Sequence, residues 1–426
     1  MIHILRPLLL FGLIALNPMI IMAQTPINIS RVYDATIKTV ELRSPQDQFA
    51  PPVLVLGSSS SQLTCSFDDM KGNIRRYAYT AILCNADWTQ SRLWPNEYIN
   101  GLSEDRINDA KTSFGTRVPY THYTFQFPTS SMQFTRSGNY LLKVYEENNT
   151  SNVCFTLRFY VAEPMTAISG NVIKSSTIEH RDTEQEVDFQ VTANTYLVDP
   201  RSNVYAYIIQ NGREDNAIRL RPKQVIGSKL DFNYDTGENT FPAGNEFRRF
   251  NTSSVRAAMD HVSSVSVVND TCNAILIPDQ PRAFLKYISE SDINGNFLPN
   301  TIDYQNPSIE CEYVNVRFFL GLNLPVSKGK IIVNGRFCQW DPNNGFVMKY
   351  VPSLKGYVAE GLLKQGYYDY LYLYYPEENK PGLTSLVEGD YSETQNEYQI
   401  FVYYHKPGEV YDRLIGTGIF GKTTGK

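Results

Sequence analysis

The sequence predicts an all-β protein assembled from tandem antiparallel β-sandwich domains. Three observations carry this reading. Nearly every apolar run alternates with a period of two and ends in a cluster of Gly, Asn, Pro or Asp, the pattern of antiparallel sheets. Aromatic residues make up 13% of the chain, with 29 Tyr against 3 Trp, while charged residues are only 19%; strands accommodate such side chains better than helices do. A helical period is almost absent. The stretch "SSVRAAMDHV", Ser253 to Val262, is the best candidate for one short helix or turn.

In chain order, residues 1–23 read as a cleaved secretory signal peptide. Arg6 supplies the positive start, "PLLLFGLIAL" the apolar stretch and Ala23 the small residue at the cleavage point. Asn17 and Pro18 interrupt a run already shorter than the ~20 apolar residues of a membrane span. No Cys follows it to carry a lipid. Polar, turn-rich joints near Pro164 and Asn306 divide the remainder into 24–163, 164–306 and 307–426, each a normal sandwich length. Within them, "VNVRFFL" places Val314, Val316, Phe318 and Leu320 on one face. "YDYLYLYY" places Tyr368, Tyr370, Tyr372 and Tyr374 on one face, with Leu371 and Leu373 opposite. "YQIFVYY" and "NYLLKVYEE" behave similarly.

The charge balance excludes one class of partner. A net charge of −5 disfavours nucleic acid, whose phosphates want a basic face. The six cysteines, Cys65, Cys84, Cys154, Cys272, Cys311 and Cys338, include no C-x-x-C pair, which removes zinc ribbons and thioredoxin-like motifs. Cys311 and Cys338 either pair or remain buried thiols.

Enzyme signatures are missing: no H-E-x-x-H, G-x-S-x-G or phosphate-binding loop. His122, His180, His261 and His405 are far apart in sequence. Asp68 and Asp69 are adjacent, so on a strand they point to opposite faces and cannot share a substrate as a glycosidase pair would; a turn or backbone-capping role is expected of them. In "SDINGNF", Gly295 stands too early after Asp292 for a calcium-binding EF-hand loop and no bidentate Glu follows; a solvated hairpin turn is expected instead. No catalytic group, cofactor or metal is expected.

Four aromatics are candidates for partner contact: Trp88, Trp94, Tyr98 and Trp340. The first three lie in "CNADWTQSRLWPNEYINGL" and form either a recognition surface or, as the sequence favours, anchors for a long loop bent at Pro95 and Gly101. Trp340 follows the turn in "VNGRFCQW", where a sugar-binding sandwich would present a stacking ring.

Several blocks resemble the plug protein family of the type IX secretion system of Bacteroidetes. They are "CSFDDM…YAYTAILCNADWTQSRLWPNEYINGL", "SFGTRVPYTHYTFQFP", "RSGNYLLKVYE", "FPAGNEFRRFNTSSVR", "RAFLKYISESDINGNF" and "ETQNEYQIFVYYHKPGEVYDRLIGTGIF". Leu83 departs from the pattern, standing where the family is expected to carry His, and this weakens a catalytic reading further. The resemblance implies a non-enzymatic protein in the periplasm. It would sit on the periplasmic face of the outer membrane and seal the large β-barrel translocon when no cargo is passing. The domains would be immunoglobulin-like, and "KIIVNGRFCQWDPNNGFVMKYVPSLKGYVAEGLLKQGYYDYLYLYY" resembles the glycogen-binding type of sandwich. An envelope carbohydrate-binding module using Trp340 is the alternative reading. Shared fold does not bring shared function.

Overall fold

The computed structural model describes residues 28–377 and 380–421. The expected signal peptide lies outside the described residues. Strands dominate, and they pair mostly antiparallel into facing sheets around three apolar cores.

In the first sandwich one sheet is built on Tyr77–Cys84, Gly138–Glu146 and Val153–Ala162, and the facing sheet on Ile37–Arg43, Leu63–Asp69 and Thr121–Phe127. The alternation in each strand delivers one face to a common core that includes Phe67, Tyr77, Tyr123, Tyr140 and Phe159. Phe67 and Tyr123 stack at 4.9 Å and Tyr77 meets Tyr123 edge-on at 5.0 Å. Such offset and edge contacts are what a tyrosine-rich core offers beyond burial.

The middle sandwich corrects the domain boundaries. One of its sheets contains Thr166–Lys174 and Glu184–Ala193; the other contains Arg213–Leu220, Val204–Gln210, Glu397–Tyr404 and Arg413–Gly421, in that order. The last two strands come from the end of the chain. Val204 pairs with Tyr404 and the register continues to Gln210 with Tyr398. Residues 397–421 therefore belong with the middle sandwich rather than with a domain running from 307 to 426. The expected joint at 306 also falls inside the third sandwich. Phe250, Cys272, Ala274 and Phe297 share one core there with Val314, Val316, Phe318, Tyr368, Tyr370 and Tyr372. Two sheets, built on Gly366–Tyr375 and on Tyr313–Leu320 with Gly356–Lys364, enclose that core. The third sandwich is thus an insertion into the middle one. A polar, turn-rich stretch cannot by itself distinguish a domain joint from a long connection within a sandwich.

Three local expectations also change. Residues 253–261 form bends and turns, not a helix. Asn251 Oδ1 accepts from Ser253 N at 2.8 Å and Ser254 Oγ from Arg256 N at 3.1 Å, so short polar side chains take the donors a helix would need. The "SDINGNF" turn is packed rather than solvated: Asp292 is buried and accepts from Phe247 N at 2.7 Å. All six cysteines, Cys311 and Cys338 included, are buried free thiols.

The chain leaves the middle sandwich near Ala243 and returns near Asn396, and the two connecting segments hold each other. Asn245 Nδ2 donates to Glu388 O at 2.8 Å, Thr394 Oγ1 to Gly244 O at 2.9 Å and Asn396 Nδ2 to Ala243 O at 2.7 Å. Glu246, 1% exposed, accepts from Gln395 N at 3.1 Å and from the Tyr287 hydroxyl. Burial, with the Asp292 carboxyl nearby, pushes the Glu246 carboxyl up to about 7. A carboxyl raised in the folded state favours folding while protonated. Its contribution is therefore complete below the ordinary glutamate range and is lost as pH rises through about 7. Raising the pH from 5 to 8 should cost about 2.5 kcal/mol at this site. Urea midpoints across that range should fall in the wild-type protein and fall distinctly less in Glu246→Gln. Parallel slopes would place the pH dependence elsewhere.

Candidate functional site

Among the described residues the structure concentrates contact between sandwiches. Where the first meets the third, Asp68 and Asp69 end the strand Leu63–Asp69 and point opposite ways, as adjacent strand residues must. Neither lies in a turn. Asp69 turns into the first sandwich, accepting from Arg75 Nε at 2.6 Å, Tyr77 Oη at 3.0 Å and the backbone N of Lys71 at 3.0 Å. Asp68 faces the third sandwich. It accepts from Lys364 Nζ at 2.7 Å and Tyr313 Oη at 2.7 Å, and its other oxygen lies 2.6 Å from His122 Nδ1. Asp68 and Lys364 are 0% and 1% exposed. Lys364 also donates to Ser308 O at 2.7 Å and lies 4.4 Å from the Tyr120 ring centroid. Two charges this deep are tolerated because each has several partners.

Where the first meets the middle sandwich, the contact is apolar. Cys84, Ala86, Trp88, Leu141 and Tyr160 pack on Tyr205, Ile209, Phe401, Tyr403 and Leu414. Tyr160 and Phe401 stack at 4.0 Å, and Tyr403 Oη donates to Asn139 Oδ1 at 2.6 Å.

The four aromatic candidates separate by placement. Trp88 is 8% exposed at this apolar contact, with the Arg158 guanidinium 4.2 Å over its ring. Tyr98 is buried in the first core, edge-on to Tyr140 at 5.9 Å. Trp94 is 74% exposed, at the start of the single turn Pro95–Tyr98, where Glu97 accepts its backbone N–H at 2.7 Å. Trp340 is 6% exposed, packed with Phe247, Leu371, Leu373 and Tyr375. A Cβ on Gly295 would come within 2.6 Å of its ring, so only glycine allows that backbone to cover it. Trp340 offers no open face for a sugar to stack on.

The four described histidines do not converge. His122 pairs with Asp68, His180 with Glu184 at 3.7 Å, His261 with Asp279 at 3.3 Å and His405 with Asp412 at 2.9 Å. Among the described residues no group of three or more His, Cys, Asp or Glu has a metal-holding arrangement. Leu83 is 1% exposed in the first core, where an imidazole would need a buried partner. Nothing in the sequence points to Lys364 or Tyr313 as partners of Asp68, since residues 245 or more positions apart meet only through the fold.

The family described as "Type 9 secretion system plug protein 1st domain" matches residues 37–163, the span of the first sandwich from the strand Ile37–Arg43 onward. A crystal structure of a hypothetical protein from Parabacteroides merdae is 34% identical. The alignment covers 92% of this chain and 99% of that one, with a TM-score of 0.88. The chain belongs to the type IX secretion system plug family. The likeness to the P. merdae protein reaches across the first, middle and third sandwiches alike. The N-terminal region of an enterococcal surface protein, 8% identical over 93% of this chain and 96% of that one, has a TM-score of 0.20 and carries no argument. No curated protein matches this plug-family chain.

Membership ties the chain to an envelope secretion system, and the buried charges tie its first and third sandwiches together. Lys364→Met should strand Asp68 without its cation and cost about 3–5 kcal/mol. Adding Asp68→Asn should recover a substantial part of that loss, because the uncompensated charge is removed. Thermal melts of the two single variants and the double variant test this; strict additivity would mean that the pair is not coupled.

Proposed function

We propose that this chain is a non-enzymatic periplasmic plug. It seals the periplasmic opening of the large outer-membrane β-barrel translocon of the type IX secretion system when no cargo is passing. The observation that carries the reading is the family match over the first sandwich. The architecture supports it physically. A barrel of many strands leaves an aqueous lumen that must be closed, and a stopper must resist deformation. Here the sandwiches are joined by a buried ion pair, an apolar contact and a doubly connected insertion.

Among the described residues no helix is long and apolar enough to cross a membrane. The plug is taken to reach its site through an exported, signal-bearing precursor and to hold it by protein contacts. A reversible interface of about 1,600 Å² in total would suffice while still allowing cargo to displace it. Trp94 is the exposed member of the aromatic candidates, and an exposed tryptophan that becomes buried on association can dominate such an interface. A carbohydrate-binding role finds no support at Trp340, whose ring is covered.

Deleting the gene should sensitise cells to large antibiotics that the outer membrane normally excludes, with cargo export largely intact. Loss of export with normal permeability would instead mean a working part of the motor or a cargo carrier. In pull-downs from envelope membranes, Trp94→Ala should recover at least tenfold less of the barrel than wild type, about the loss of one strong anchor. Equal recovery would move the contact to another face.

A further inference from the structure

Where the first, middle and third sandwiches meet lies a cavity of about 690 Å³. Among the described residues its charged lining pairs off except for Arg336 and the exposed Lys380. Arg31 donates to Asp341 at 2.9 Å, Arg43 pairs with Glu41, and Arg158 pairs with Glu214. Each pair neutralises itself. Arg336, half-buried in the cavity wall, has no hydrogen-bond or ion-pair partner for its guanidinium among the described residues. Burial pulls its pKa down, the mark of a cation without enough compensation.

A second unsatisfied donor stands beside it. The Trp340 indole Nε1 is buried without a hydrogen-bond partner, although buried N–H groups are nearly always paired. The two donors converge over Gly212, another lining residue: a Cβ built there would lie 3.2 Å from Arg336 Nη1 and 4.0 Å from Trp340 Nε1. Gly212 has φ +69°, a backbone conformation that side-chain-bearing residues rarely adopt, so no side chain of residue 212 stands between the two donors. A spare guanidinium and an orphan N–H facing one corner are what a single oxyanion requires.

The cavity is too large for a bare ion and falls within the range of small-molecule pockets, about 300–1,000 Å³. Leu157, Ile209 and Phe297 offer apolar wall for the rest of a ligand. We propose that this junction cavity binds a mid-sized organic oxyanion, received by Arg336 and the indole N–H of Trp340. Such a ligand touches the first, middle and third sandwiches at once, so its binding braces their arrangement. A carboxylate and a phosphate monoester share the chemistry; experiment separates them.

The test uses the mature full-length protein purified from its own envelope. Native mass spectrometry should find a non-covalent small-molecule adduct on the wild type and none on Arg336→Gln. After the adduct is stripped, calorimetric titration with N-acetyl-trialanine supplies the carboxylate arm and glycerol 3-phosphate the phosphate arm, with acetate as the control that lacks a body. One arm should bind the wild type, at least tenfold more weakly to Arg336→Gln and to Trp340→Phe, and should raise the melting temperature. Without ligand, Arg336→Gln should melt no lower than wild type, because an unpaired buried charge stabilises nothing. The proposal is overturned if the wild type shows neither adduct nor binding. It is equally overturned if Arg336→Gln binds as well as wild type, or if that variant melts several degrees lower without ligand, which would make Arg336 a structural residue.

Discussion

The strand Glu397–Tyr404 is the constraint on which the assembly depends. Tyr398, Ile400, Val402 and Tyr404 point into the middle core, and Phe401 and Tyr403, from the other face, pack against the first sandwich. One strand therefore closes one sandwich and joins it to another. It can do both because neither face is left for solvent, and burying both faces of a strand yields stabilisation in proportion to the apolar area removed from water. Its place at the end of the chain has a topological consequence. The middle sandwich is complete only when Glu397–Tyr404, which follows the third sandwich in the chain, pairs with Val204–Gln210.

Gly366–Tyr375 is the counterpart in the third sandwich. Tyr368, Tyr370 and Tyr372 lie in its core, while Leu371 and Leu373 face Phe247, Ile332 and Trp340 on the other side. The tyrosine hydroxyls are not wasted in that core: Tyr370 and Tyr372 each donate to Asp279 at 2.7 Å, and Asp279 also takes Arg248 Nη1 at 2.7 Å. Arg248 and Arg282 then share Glu388 at the start of the returning connector. With both arginines beside it, the Glu388 carboxyl is held below its ordinary value despite complete burial. The Asp68–Lys364 pair and the Glu388 cluster put buried charge at a joint and at a connector, where a unique geometry matters more than raw stability.

Much of the fold was legible in the sequence. Period-two runs identified the strands, and the tyrosine-rich composition pointed to strands as well. Two-sided apolar runs such as "EYQIFVYY" carried more information than alternation alone: a strand with no polar face is buried on both sides. What could not be read was which sheet a strand joins. Residues 397–421 look like the natural end of the domain before them, and only their register against Val204–Gln210 assigns them to the middle sandwich. The contacts across sandwiches were hidden for the same reason. Asp68 in "FDDM" looks like a turn residue until Lys364 and Tyr313 are brought to it.

Trp340 illustrates how a fold can be kept while its surface chemistry is removed. The turn after "VNGRFCQW" leads to a tryptophan in the position where a sugar-binding sandwich would expose one. Here Gly295 and Phe247 cover the ring, and the Arg213 guanidinium lies 5.8 Å from its centroid. Covering the ring stabilises the third sandwich by the burial of a large apolar surface. The same burial leaves the indole N–H without a partner, which costs free energy unless something supplies an acceptor. A phenylalanine would give much of the packing without that penalty. The indole is therefore better explained by an acceptor in the junction cavity than by packing alone. That argument rests on the cavity wall, where Arg336 carries an unpaired charge beside the same corner.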